Sequence, residues 1–385
     1  MFNRILILAS VVLIGFSSCV KDNDSDVLRA KIDYSKLTVT TPYKSLFVDA
    51  KGDTTVDVKS GNDRFKQFLA LNYYLGAAVR DNKVLDATLM KNMFANTVNP
   101  FTDISSLGII GANLNTSGVQ LRNLMASSKV AADAEVARTR MNGLFDEMVT
   151  VSNAYAANAS MGVAGKLGTY LVDKKGIETA QIIQKSLIGA VQLDYICNVM
   201  LTSGLIADNK TLVQGKNYTQ LEHNWDEAYG FLTVNPVYLA GSTDAVRGTS
   251  ESFLGSYVWE YNKGGYGKIF PAFLKGRAAI VNNDLAELKI QATLIRTEFE
   301  KAIATAAVGY LGKWKSGTTD AVRAHAFAEA LGFIYSLRFC TITPVDAKFS
   351  DDIITNLVGS TNGFWDLTND KINVASDAIT AKFKL

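Results

Sequence analysis

Two histidines, three cysteines and five prolines are all that the 385 residues hold of those types. Neither histidine has a second one nearby, so the His-Glu-x-x-His pair of a zincin helix is absent. No Gly-x-Ser-x-Gly elbow occurs either, which removes the common serine-hydrolase nucleophile. No proline lies between Pro100 and Pro236 or between Pro271 and Pro344. An interior proline costs a helix about 3 kcal/mol, so such gaps favour long helices. Net charge is only +2, which leaves no basic field for nucleic acid and no acidic field for cationic partners. Beyond the N-terminus no apolar run is long enough to span a bilayer.

What is present starts at residue 1. Arg4 precedes the apolar stretch Ile5 to Phe16, interrupted only by Ser10 and Gly15. That is the pattern of a secretory signal, too short for a permanent membrane helix. It ends in Phe16-Ser17-Ser18-Cys19, which resembles a lipobox with Phe16 where leucine is usual. The expectation is a signal peptide over residues 1–18 and a lipid on Cys19 that anchors the chain to a membrane. The acidic stretch Val20 to Asp26 cannot bury enough surface to fold, and residues 19–36 read as a tether. Cys197 and Cys340 sit in apolar surroundings and read as buried free thiols.

The body reads as all-α, with two related helical bundles and a short N-terminal β-like arm. The arm comes from the alternating Thr- and Val-rich residues 37–59. Helical spacing starts near Asn62, with Phe65, Phe68, Leu69 and Tyr73 on one face. Further helices are expected over Asp86–Ala95 and Val119–Ala164, the latter broken near 127–131. Others follow over Ile177–Thr202, Tyr218–Leu232, Pro271–Asn282, Leu285–Trp314, Asp320–Phe339 and Ser376–Phe383. The first bundle is placed in 37–210 and the second in 211–385. Gly264 to Lys268 reads as a flexible loop, Pro271 as a first-turn proline, and Glu298, Glu300 and Lys301 as a solvated helix face.

The two histidines occur in matching contexts. His223-Asn224-Trp225-Asp226-Glu227-Ala228-Tyr229-Gly230-Phe231 aligns with His325-Ala326-Phe327-Ala328-Glu329-Ala330-Leu331-Gly332-Phe333. Both read His-x-x-x-Glu-Ala-x-Gly-Phe, which points to an internal duplication. Residues four apart share a helix face, so each His–Glu pair points one way, and Asp226 is expected beside the first. Two readings follow. His223, Glu227, His325 and Glu329, with Asp226, converge on a divalent metal such as iron or zinc. Alternatively, two buried histidines staple a duplicated packing interface. A separation above about 10 Å would exclude one shared ion, since ligands sit near 2 Å from a metal.

The stretch Glu222-His223-Asn224-Trp225-Asp226-Glu227-Ala228-Tyr229-Gly230-Phe231 resembles a Bacteroidetes lipoprotein family of unknown function, distantly related to imelysin-like proteins. Phe273-Leu274-Lys275-Gly276-Arg277 and Gly61-Asn62-Asp63-Arg64-Phe65 add to that likeness. The resemblance implies an all-helical, two-bundle body, with roles in iron acquisition or, in some members, peptidase activity. The imelysin hallmark is Gly-x-His-x-x-Glu; here Leu221 replaces the glycine and Asp226 the glutamate. The implied function is a lipid-anchored protein that binds a metal or small ligand, more a binder than an enzyme. The acidic residues behind Cys19 resemble the export signal of such lipoproteins and imply the outer membrane, with either the cell surface or the inner face open to the body. A metallopeptidase-like enzyme and a structural or adhesive surface protein without metal are the alternatives.

Overall fold

The computed structural model describes residues 28–38, 40, 42–232 and 251–385. Cys19 and the export signal lie outside the described residues. The fold is all-α, with 66% of residues in helices and 4% in strands.

The first long helix, α1 (Lys59–Arg80), buries Phe65, Phe68 and Leu71 along one stripe, as the spacing predicts. After it come α2 (Ala87–Ala95), capped by the Asp86 carboxylate, and α3 (Ala131–Asn153). The chain between them turns at 125–130, near the expected break. Helix α3 stops at Asn153, short of the expected end. The next residues form a small antiparallel hairpin of β1 (Gly165–Leu167) and β2 (Tyr170–Val172).

Helix α4 (Thr179–Leu187) runs without a break into a π-helical segment, Ile188–Met200. In that segment every residue but Val199 is buried, so it is the central strut of the molecule. Around it pack α5 (Gln220–Leu232), α6 (Leu254–Tyr261), α8 (Leu285–Ser316) and α9 (Asp320–Ser336), while α7 (Lys263–Val281) lies against α5, α6 and α8. Two outer helices, α10 (Ala347–Val358) and α11 (Asn369–Phe383), close the chain.

Several expectations are corrected. Gly264 to Lys268 is not a loop but the first turns of α7, and Pro271 lies inside that helix. Tertiary contact overrides the glycines: Tyr266 is buried, and Asn262 at the helix start donates to Glu298 at 2.7 Å. Glu298 and Glu300 are buried rather than solvated. Glu300 accepts from the backbone amides of Thr341, Ile342 and Thr343 at 2.6–3.0 Å and so ties α8 to the loop after α9. The β-like arm is reduced to one antiparallel bridge between Val48 and Thr54, which follows a helical turn, Tyr43–Leu46. The end of the expected tether is docked: Arg29 pairs with Glu222 at 2.6 Å, and Tyr34 donates to Asp284.

Candidate functional site

Helix α5 carries charged side chains on two faces, and they enter different clusters. Glu227 projects toward α1 and the π segment. It pairs with the Arg64 guanidinium and accepts from Tyr195 Oη at 2.6 Å and from Ser60 Oγ at 3.0 Å. His223 Nε2 stands 3.6 Å from Glu227, too far for a hydrogen bond, and the imidazole stacks on Tyr218 with centroids 5.0 Å apart. Arg64 lies over the Tyr195 ring at 5.0 Å.

The second pair repeats this arrangement. Glu329 on α9 meets Lys185 Nζ at 2.7 Å and Tyr257 Oη at 3.5 Å. Nε2 of His325 is 3.7 Å from Glu329, and its ring stacks on Tyr170 at 4.1 Å. Lys185 lies over the Tyr257 ring at 5.2 Å, as Arg64 does over Tyr195. Each cluster thus holds a histidine near the surface, a buried glutamate, a buried tyrosine and a cation contributed by the facing helix.

The repeated glycine and phenylalanine now have reasons. A Cβ on Gly230 would fall 2.7 Å from the Val58 carbonyl, and one on Gly332 would fall 2.4 Å from Lys185 Cβ. Both glycines therefore sit where α5 crosses α1 and where α9 crosses α4. Phe231 and Phe333 are fully buried behind them. The sequence pointed to the histidines and glutamates. Arg64, Lys185, Tyr195 and Tyr257 lie far from the His–Glu motif in the chain, so the motif itself does not point to them.

The clusters differ at the outer histidine nitrogen. His325 Nδ1 is 2.6 Å from Glu178, which stands seven residues before Lys185. Burial pushes the His325 pKa down, but the hydrogen bond and charge of Glu178, helped by Glu329, raise it above the ordinary histidine value. Asp57 stands seven residues before Arg64. It accepts instead from Tyr218 Oη at 3.1 Å, and His223 Nδ1 is buried without a hydrogen-bond partner.

Asp226 does not join His223. It faces α7, from which Arg277 Nε donates to it at 3.0 Å, and Tyr43 Oη of the N-terminal helical turn donates at 2.8 Å. Arg277 also pairs with Glu222 at 2.7 Å, and all three side chains are fully buried. Burial raises the Asp226 pKa to about 6, with Arg277 and Tyr43 opposing and Glu222 adding to the rise.

His223 with Glu227 and His325 with Glu329 therefore occupy separate clusters, and among the described residues no hydrogen bond or ion pair joins the two. Among the described residues, no group of three or more His, Cys, Asp or Glu side chains is arranged to hold a metal ion. The residues do not fit one shared ion, because Arg64 and Lys185 already neutralise the carboxylates such an ion would need. Cys197 and Cys340 are buried and free.

A family profile described as Domain of unknown function (DUF4856) matches residues 44–385. No curated protein matches the chain, and no solved structure does.

Proposed function

The chain belongs to the family Domain of unknown function (DUF4856), and on that premise we propose a lipid-anchored, non-catalytic envelope protein whose two His–Glu pairs staple a duplicated helical core. One observation carries this reading: both glutamates already have a cation and a tyrosine hydroxyl as partners. A general base needs a carboxylate free to take a proton, and a catalytic metal needs three ligands with an open position. Neither condition fits these pairs. The anchor is the lipid on Cys19, and the acidic stretch behind it favours the outer membrane with the body toward the cell surface. The likeness to Bacteroidetes lipoproteins and to imelysin-like proteins is in keeping with an extracytoplasmic helical body.

The test has two parts. Metal analysis of the purified chain is expected to find no stoichiometric iron or zinc, with no change in His223→Ala or His325→Ala. One metal per chain that disappears in both variants overturns the staple reading. For the anchor, Cys19→Ala is expected to release the chain from membranes, and a variant that stays bound overturns it.

A second reading has one observation in its favour. His223 Nδ1 is a buried nitrogen without a partner, beside Asp57 and Glu227. A zinc or iron ion at that cluster alone, in keeping with the imelysin-like resemblance and iron uptake, predicts metal lost in His223→Ala and retained in His325→Ala.

A further inference from the structure

A cavity of about 710 Å³ is lined by none of the residues of the two histidine clusters. Its size is within the range of small-molecule sites. One wall is a stripe of α8 through Leu288, Ala292 and Arg296, and the other is the turn that carries Leu201, Leu205 and Ile206. From Leu285 to Arg296 the stripe runs about 16 Å at 1.5 Å per residue, so the groove is elongated. Ile206 is 89% exposed and Leu285 54%, which leaves apolar surface uncovered among the described residues.

The rim is cationic. Lys210, Lys289 and Arg296 line it, against Asp208 as its one acid. Among the described residues none of the three cations pairs with a carboxylate. Arg296 donates only to Thr341 Oγ1 at 2.9 Å, and its buried Nε has no partner. An apolar trough with unspent positive charge along its edge is complementary to an anion that carries a hydrocarbon chain.

We infer that this groove binds a single-chain anionic amphiphile of the fatty-acid type. Its chain lies against Leu205, Ile206 and Leu285, and its carboxylate falls at the cationic rim of Lys289 and Arg296. The inference goes beyond the reading of the histidine clusters and does not depend on it.

The experiment uses membranes that carry the full chain, irradiated with a photoreactive palmitate analogue, the corresponding fatty alcohol or photoreactive phosphatidic acid. Labelled peptides are mapped by mass spectrometry. The fatty acid is expected to label 201–210 and 285–296, with the alcohol weaker by about tenfold. Ile206→Glu, at an exposed lining position, puts a negative charge in the trough and should abolish labelling. Lys289→Glu, on an exposed position that leaves the core intact, should reduce it about tenfold as well. Label elsewhere on the chain, equal labelling by the alcohol, or full labelling of Lys289→Glu overturns the inference. Preferential labelling by phosphatidic acid overturns the single-chain assignment.

Discussion

Lys185 and Tyr195 stand ten residues apart on one continuous helix, and each completes a different His–Glu cluster. Lys185 neutralises Glu329, while Tyr195 donates to Glu227. The strut formed by α4 and the π segment therefore belongs to both repeats. The separation between these two contacts is on the order of 15 Å along the helix, consistent with two staples rather than one centre.

Removal of Lys185 should be costly. Its side chain and that of Glu329 are 3% and 7% exposed, so Lys185→Met leaves a nearly buried carboxylate without a cation. Loss of one partner from a buried pair costs about 3–5 kcal/mol. We expect a fall of that order in urea-unfolding stability, with most of it recovered in Lys185→Met/Glu329→Leu. If the single variant unfolds at the same urea midpoint as the parent, the pair is not a staple.

Stability should also depend on pH with a definite sign. The folded pKa of His325 lies above that of an unfolded histidine. Its contribution is therefore complete below about 6.5 and is lost as pH rises through the folded value. Asp226 has the same sign in a lower window, since its folded value of about 6 exceeds the ordinary 3.8. Urea midpoints measured upward from neutral pH should decline, and Glu178→Gln should flatten that decline while leaving the acid-side slope from Asp226. An unchanged decline in Glu178→Gln would assign the titration to another group.

The glycine at 276 supplies a prediction about packing. A Cβ there would lie 2.0 Å from Trp225 Cζ2, and the indole cannot retreat because its Nε1 donates to the Phe273 carbonyl at 2.9 Å. Overpacking of this kind costs about 1–3 kcal/mol or more. Gly276→Ala should therefore lower Tm by several degrees and shift Trp225 fluorescence, and a variant with parental Tm would show that α7 can move away from α5.

Local signals made most helices legible. The α1 stripe, the apolar run of the π segment and the Thr319 cap of α9 are all encoded within a few residues. The start of α7 was hidden, because three glycines there are held helical by Asn262 and Glu298, the latter 36 residues away. Helix α10 carried a signal that went unread, an Asp346 cap followed by Phe349, Ile353 and Leu357 on one face. At the site, His-x-x-x-Glu was visible as a repeat. Its meaning depended on Arg64 and Lys185, which fix the carboxylates from distant helices and leave no trace in the motif. The same gap explains why Asp226 was expected beside His223: its partner Arg277 is 51 residues on.

The two inner cysteines give the last prediction. Cys197 and Cys340 are free and fully buried, and burial raises both thiol pKa values well above the ordinary one, Glu300 adding to each. The thiolate is the reactive species, so these residues combine low thiolate content with no solvent access. In the native chain a small thiol reagent should modify neither, even at mildly alkaline pH. Both should react in denaturant, at a rate that follows global unfolding, since one cysteine lies on the π segment and the other follows α9. Lys185→Met should accelerate that reaction in proportion to its loss of stability, because Lys185 joins α4, which runs into the π segment, to Glu329 on α9. Rapid native-state modification of Cys197 would show instead that the π segment opens locally, independently of the staples that flank it.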